Sequence, residues 1–391
     1  MRLWYFSASR IPSRAANSVH VIRMAEAFGE IGVDLTLFSA RGDDRIADIE
    51  AYYGIARGRF SLVRLPRPRI RVAGALVLAR RMVQAAARLP LPDAFYGRNP
   101  FALAMAARRW PGKPFAYEAH ALPQSALHAR LEHWLLRQKG CCGLVAISEG
   151  LAADYRSRMK TLLEPAQGRR RVHVLHDGAT LPAGPGMEPM PWPGRTDALQ
   201  IGFVGSLFEG KGADMLVRLA RIVPDMDFHI VGGAPADIAR LNPRPRLSNL
   251  WFHGHQPPSS LSAYYGRFDV VLAPLSRRVA LEGGGGDISR WTSPLKVFEA
   301  LAHSRPLVAS DLPVIREVLQ DGVTALLVPP DDVVAWRAAL ERLRDTRLRA
   351  RIASAGHERL REHYTWVHRA RAIRGLLERR DNEWPANAPV G

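Results

Sequence analysis

The 391-residue sequence predicts an α/β fold built as two doubly wound, Rossmann-like domains. Three observations carry that expectation. Short apolar runs alternate with helical patterns along most of the chain, the mark of βαβ units and parallel sheets. The alternation stops once, at LPAGPGMEPMPWPG (181–194), where five prolines remove backbone donors, and then restarts. The length exceeds one ordinary core and suits two.

In the first half, LWYF (3–6) reads as a strand, followed by a polar loop, SASRIPSRAANS. Residues 18–30 read as a helix, because Val21, Met24, Ala25 and Phe28 fall on one face. Gly32 ends it, and VDLTLFSA (33–40) closes the first βαβ unit. Further strands are expected at 60–65, 93–97, 115–120, 143–148 and 172–178. In the second half, strands are expected at 199–206, 227–233, 249–254, 268–274, 306–310 and 325–330, with helices at 211–222 and 294–303. The chain from Asp331 is helical in pattern and includes a basic amphipathic helix, YTWVHRARAIRGLLERR (364–380). The division that follows is domain 1–182, linker 183–196, domain 197–360, and a C-terminal segment 361–391 whose helix crosses back to the first domain before a tail. Ligands of such sheets bind outside the carboxyl ends of the strands, so function is sought in strand-to-helix loops facing a cleft between the domains.

The composition narrows the class. Apolar residues make up 47% and charged residues 24%, which is globular. MRLWYF is too short for a secretory leader, and no apolar run reaches the roughly 18 residues of a membrane span. Cys141 and Cys142 are adjacent and read as reduced, buried thiols of a cytoplasmic protein. The net charge of +18 lies mostly in residues 1–190, and residues 51–100 hold ten arginines against one acid. Such a field favours a polyanion: nucleic acid, an anionic bilayer or a phosphorylated substrate.

Three stretches carry chemistry. VGSLFEGKG (204–212) is a strand, a glycine turn and a lysine at a helix start, where the backbone approaches an anion and Lys211 adds a charge. It fits neither the P-loop nor the GxGxxG pattern. SPLKVFEALAHSRPLVASDLP (293–313) places Pro294 in a first helical turn, Lys296 beside it and Glu299 one turn on. First-turn amides and Lys296 form an anion seat, and a carboxylate can accept from both hydroxyls of a ribose diol. YEAH (117–120) ends a strand with His120, which can donate a hydrogen bond to a sugar hydroxyl.

Collinear with these stretches, HIVGG, NLWFHGH, YYGRFDVVLAPL and VIREVLQDGVTALLVPPDD resemble the donor-binding half of the retaining family-4 glycosyltransferases of the GT-B group (glycosyl transferases group 1). RIPSRAANSVHVIRMAEAFGEIGVDLTLFSA, YEAHALP, VAISEGL and HVLHDGA are similar to its first half. The resemblance implies an acceptor-side N-terminal domain, a nucleotide-sugar-binding C-terminal domain, and metal-independent, retaining transfer with no cofactor beyond the donor. Lys211 then matches the pyrophosphate lysine, Glu299 the ribose acid and His120 the sugar-contacting histidine. Ser293, Pro294, Leu295 and Lys296 match the phosphate seat, Gly205 and Ser206 the turn before the lysine, and Gly254 and His255 the rim that receives the base. Ser206 stands where the family often has arginine, a charge Lys296 would supply. Trp291 stands where the paired-acid motif has its first acid, which either Glu282 or Asp287 replaces or nothing does. Ala15, Ala16 and Asn17 replace the first loop's glycine pair.

No DxD pair falls in a suitable loop, and no residue is placed as a nucleophile for double displacement. The expected acceptor is a polysaccharide, oligosaccharide or lipid-linked glycan, as in bacterial cell-surface glycan synthesis. The arginine-rich run 65–90 with its apolar stripe suits an anionic inner membrane face, making the protein cytoplasmic or peripheral. No stacking platform or recognition module for a specific nucleic acid is present. A nucleotide-sugar epimerase of the same fold, a non-enzymatic polyanion-binding protein and a binding protein that has lost turnover are the alternatives.

Overall fold

The computed structural model describes residues 1–68, 70–159, 172–182, 184, 190–279, 287 and 289–378, and the backbone alone of Arg71 and Val72. It divides into two compact units. The first holds Met1–Asp177 with the segment from Trp366 onward, and the second holds Gly178–Thr365. Of the proline-rich stretch 181–194, residues 183 and 185–189 lie outside the described residues, as do Glu282, the GGGG run at 283–286 and the chain after Glu378.

The first unit is a parallel sheet of seven strands: β1 (Arg2–Ile11), β2 (Asp34–Arg41), β3 (Ser61–Leu65), β4 (Ala94–Gly97), β5 (Phe115–Ala119), β6 (Cys141–Ala146) and β7 (Val172–Val174). The order is β3-β2-β1-β4-β5-β6-β7, so the direction of winding reverses between β1 and β4. The strands are apolar on both faces, as a sheet covered by helices on both sides requires. Trp4 stacks on Phe95 at 5.8 Å, and Phe6 stacks on Phe38 at 5.1 Å. Val21, Met24, Ala25 and Phe28 of the helix Ala16–Glu30 are all buried, on the face the spacing predicts. The helix Trp366–Glu378 packs on that helix, so a segment from the end of the chain completes the first unit.

Two expectations change here. β1 continues through the stretch read as a polar loop, because Arg10 and Ile11 pair with Ala40 and Arg41, and Ser7 and Ser9 are buried within the strand. Cys141 and Cys142 are only half-buried, since they open β6 instead of lying in its middle.

The second unit is a parallel sheet of six strands: β8 (Gln200–Val204), β9 (Asp227–Val231), β10 (Leu250–Gly254), β11 (Val270–Ala273), β12 (Leu307–Ser310) and β13 (Leu326–Val328). Its order, β10-β9-β8-β11-β12-β13, reverses between β8 and β11. One core lies under the helices Ala213–Ile222 and Val333–Arg342, and the other under the helix Leu295–Ala302. The helix Leu295–Ala302 buries Val297, Phe298, Ala300 and Leu301 and leaves Glu299 half-buried.

Candidate active site

In the second unit, the predicted donor-binding residues gather at the carboxyl end of β8, at the reversal of strand order. β8 ends at Val204 and the chain turns at Gly205, whose φ is 150°. Gly205 N–H donates to the Val231 carbonyl at 2.9 Å, holding the turn against the end of β9. A side chain at Gly232 would lie 1.9 Å from the Gly205 carbonyl, so the two turns meet backbone to backbone. The loop then reaches Lys211 and enters the helix Ala213–Ile222.

Lys296 comes to the same place from the helix Leu295–Ala302. Its residue is 8% exposed, and its Nζ donates to the Lys211 carbonyl at 3.2 Å. Nζ sits 3.7 Å over the Phe203 ring and 3.5 Å from where a Gly205 side chain would begin. Among the described residues, no carboxylate pairs with it at contact distance. Burial, and then the Lys211 charge, hold the Lys296 ammonium well below its ordinary range, and Glu299 offsets only part of this. The sequence thus places a second cation under the turn that carries Ser206.

Pro294 caps the helix from outside, one position earlier than the first-turn placement expected, and as a proline it offers no side-chain hydrogen bond to the first-turn amides. Val297 N–H donates to the Pro294 carbonyl. One turn on, Glu299 Oε2 accepts from the Tyr265 hydroxyl at 2.9 Å. His303 stacks on Tyr265 with centroids 4.7 Å apart, and His303 Nδ1 lies 2.7 Å from the Glu299 carbonyl. Glu299 is therefore oriented by a buried tyrosine. Gly254 ends β10 at φ 69°, and Gly232 N–H donates to its carbonyl at 2.7 Å, which sets the position of the following His255. Asp287, one candidate for the missing acid, accepts from the amides of Val279 and Ser289 and so ties its own loop. The other candidate, Glu282, is among the residues not described.

In the first unit, His120 follows β5 directly, and the structure surrounds it with groups the sequence reading passed over. Glu118 of the same strand is 1% exposed. Its Oε2 accepts from the Tyr96 hydroxyl and from Arg369 Nη2, the latter at 2.8 Å. Its Oε1 lies 2.9 Å from His20 Nε2 and in short contact with His120 Nε2. His20 Nδ1 in turn lies 3.0 Å from Asp177 Oδ1. Arg369 also donates to the carbonyls of Leu175 and His176, joining the last helix to the end of β7.

The charge states follow from this packing. Burial alone would raise Glu118, but His20, Arg369 and His120 hold it well below the carboxylate range. Burial would lower His20, yet Glu118 and Asp177 lift it above its ordinary value. His120 is pushed down to about 4 by burial and then by Arg98. Arg98 itself is lowered by burial, and among the described residues its Nη1 has no hydrogen-bond partner. His20, Glu118 and His120 are near enough to suggest a metal site. However, two donors on one zinc ion at about 2.0–2.1 Å stand about 3.3 Å apart. The His20–Glu118 and His120–Glu118 contacts are shorter than that, and the second is a hydrogen bond.

Two reversed-order parallel sheets, each with a strand-end glycine or histidine loop, define a GT-B fold. Matches to known proteins agree. Residues 198–346 match the family described as glycosyl transferases group 1, and residues 18–181 match glycosyltransferase family 4. The chain belongs to the family-4, group 1 glycosyltransferases. It is 32% identical over 196 residues to a phosphatidyl-myo-inositol mannosyltransferase of Mycolicibacterium smegmatis, covering 49% of this chain and 46% of that protein. The chain spans about half the length of the curated relatives it matches, between 46% and 60% for three of them. In fold it is similar to sucrose-phosphate synthase of Thermosynechococcus elongatus, with TM-score 0.68, 16% identity, and coverage of 96% and 98% of the two chains. It is also similar to Anabaena HepE in complex with UDP, with TM-score 0.64, 18% identity, and coverage of 96% and 99%.

Proposed function

We propose that this chain transfers a sugar, with retention and without a metal, from a nucleoside-diphosphate sugar to a polysaccharide, oligosaccharide or lipid-linked acceptor. The observation that carries the reading is the convergence of Lys296 and Lys211 on the Gly205 turn, with Glu299 one helical turn along. Two lysines and first-turn amides suit a diphosphate, and a carboxylate held by Tyr265 suits a ribose diol. Sugar transfer builds negative charge on the leaving diphosphate, which preorganised cations and amides stabilise in place of a metal. The leaving phosphate takes the acceptor's proton on the face it departs from, which preserves the anomeric configuration. His120 meets the sugar.

A lipid-linked acceptor accords with the phosphatidyl-inositol substrate in the name of the mycobacterial relative, and a UDP-type donor with the UDP bound to HepE. The helix Arg71–Ala86 adds support. It buries Leu78, Met82 and Ala86 but leaves Leu76 and Val77 exposed beside Arg80, with Ile70 68% exposed at its start. Among the described residues no helix is long and apolar enough to cross a membrane, so contact with anionic lipid would be peripheral.

A thermal-shift screen with UDP, GDP, ADP and their sugars tests the donor reading. Stabilisation by one base series is expected, and no shift with any of them removes it. Product anomers read by NMR test retention, and turnover unchanged in EDTA tests metal independence. A donor isomerised in the absence of acceptor would instead identify an epimerase.

A further inference from the structure

The proton inventory around Glu118 fixes a property of His120 that distance alone does not. An ionised carboxylate only accepts hydrogen bonds. Glu118 has three hydrogen-bond partners, Tyr96 and Arg369 on Oε2 and His120 on Oε1, while His20 Nε2 lies 2.9 Å from Oε1 as an ion-pair contact without hydrogen-bond geometry. Each partner must bring a hydrogen. For an imidazole this means N–H on the facing nitrogen, since a lone pair there would meet the carboxylate's own. His20 faces carboxylates with both nitrogens at ion-pair distance, and Glu118 and Asp177 favour its protonated form. His120 faces one carboxylate, through Nε2 only, and its Nδ1 has no protein partner among the described residues. A second proton on His120 would place another cation beside His20, Arg98 and Arg369, against the two carboxylates Glu118 and Asp177.

We infer that Glu118 is a positioning residue that holds His120 as the neutral Nε2–H tautomer, so that Nδ1 meets the ligand as a hydrogen-bond acceptor. This reverses the donor role the sequence suggests, and it rests on the reading of His120 as the sugar-contacting group. The ligand group selected is a hydroxyl that donates. A fluorine or ether oxygen in its place would present a lone pair to a lone pair. Arg369, reaching Glu118 from the last helix, and the His20–Asp177 pair hold the carboxylate in place.

The experiment is a long-range 1H–15N correlation spectrum of the full chain, labelled with 15N-histidine, at pH 7 without ligand. The His120 signal is assigned by its loss in His120→Gln. Protonated Nε2 with unprotonated Nδ1 is expected, and Glu118→Gln should move the pattern toward a mixture of tautomers. A protonated Nδ1, an averaged pattern or an imidazolium in the wild type overturns the inference, as does an unchanged spectrum in a folded Glu118→Gln. If that variant does not fold, the wild-type spectrum alone decides. The readout needs neither donor nor turnover. The expected tautomer together with no stabilisation by UDP, GDP, ADP or their sugars would thus refute the donor reading and leave the tautomer standing.

Discussion

Replacing Lys296 with methionine separates a ligand-binding cation from a structural one, because the two roles predict opposite signs. In the free protein, Lys296 gains one hydrogen bond to a carbonyl and one cation–π contact with Phe203. Together these contribute roughly 2–4 kcal/mol. Against them stands the burial of an ammonium that has no carboxylate at contact distance among the described residues, an effective penalty of several kcal/mol. Methionine fills a similar volume without the charge. Lys296→Met should therefore stabilise the second unit by about 1 kcal/mol, and raise its unfolding temperature by roughly 2–4 °C for a unit of this size. A bound diphosphate reverses the sign, since it loses a charge-assisted contact of about 1.5–3 kcal/mol, roughly 10- to 100-fold in Kd. The pH dependence is distinctive too. The folded-state pKa of Lys296 lies below its ordinary 10.5, so the unfolded chain binds more protons between the two values, and stability rises with pH across that window. Lys296→Met should flatten this rise. Differential scanning fluorimetry and calorimetric titration with UDP measure both effects. A lower melting temperature with unchanged nucleotide affinity would show that the lysine packs the turn and binds nothing.

Glu299→Ala and Lys211→Ala should each abolish the thermal shift with the preferred nucleotide sugar while the chain stays folded. Glu299→Ala also leaves the Tyr265 hydroxyl without its acceptor, at a cost of about 1–3 kcal/mol that Glu299→Gln restores, as urea denaturation would show. Arg369→Met leaves the buried Glu118 without its arginine and should cost about 3–5 kcal/mol. Glu118 is depressed in the folded state, so its stabilisation is present above 4.5 and lost as pH falls through the folded value; Arg369→Met should start that loss at higher pH, measured as urea midpoints between pH 7 and 3. Arg98→Met removes the cation that, after burial, holds His120 down, so the pKa of His120 should rise from about 4 in an NMR titration; no change would assign the depression to burial alone.

Both sheets were legible because parallel strands buried on two faces are written as short apolar runs, and their helices as three-to-four spacing. The residues expected on the donor side were singled out for a related reason. Lys211, Lys296 and Glu299 lie within two strand-to-helix turns, where glycine, proline and charge mark a purpose locally. The cluster around His120 was not legible. Its members come from four elements and a loop, His20, Tyr96, Glu118 and Arg369 from the elements and Asp177 from the loop after β7, and meet only when the first sheet and the last helix assemble. Glu118 stood in the quoted YEAH, yet alternation along a strand gave it no reason to differ from any buried position. His20 sat on an apolar helical face, where a histidine is usually packing. Arg369 lay in a helix read as basic and amphipathic, with no sign that one of its arginines turns inward. The sole local clue was polarity at positions the pattern marks as core. Burying a glutamate, an aspartate, two histidines and an arginine together is tolerable only if every charge is matched. That matching requirement ties the cluster to His120: an apolar interior at these positions would avoid the cost of burying charge, but it would leave the ring free to take either tautomer.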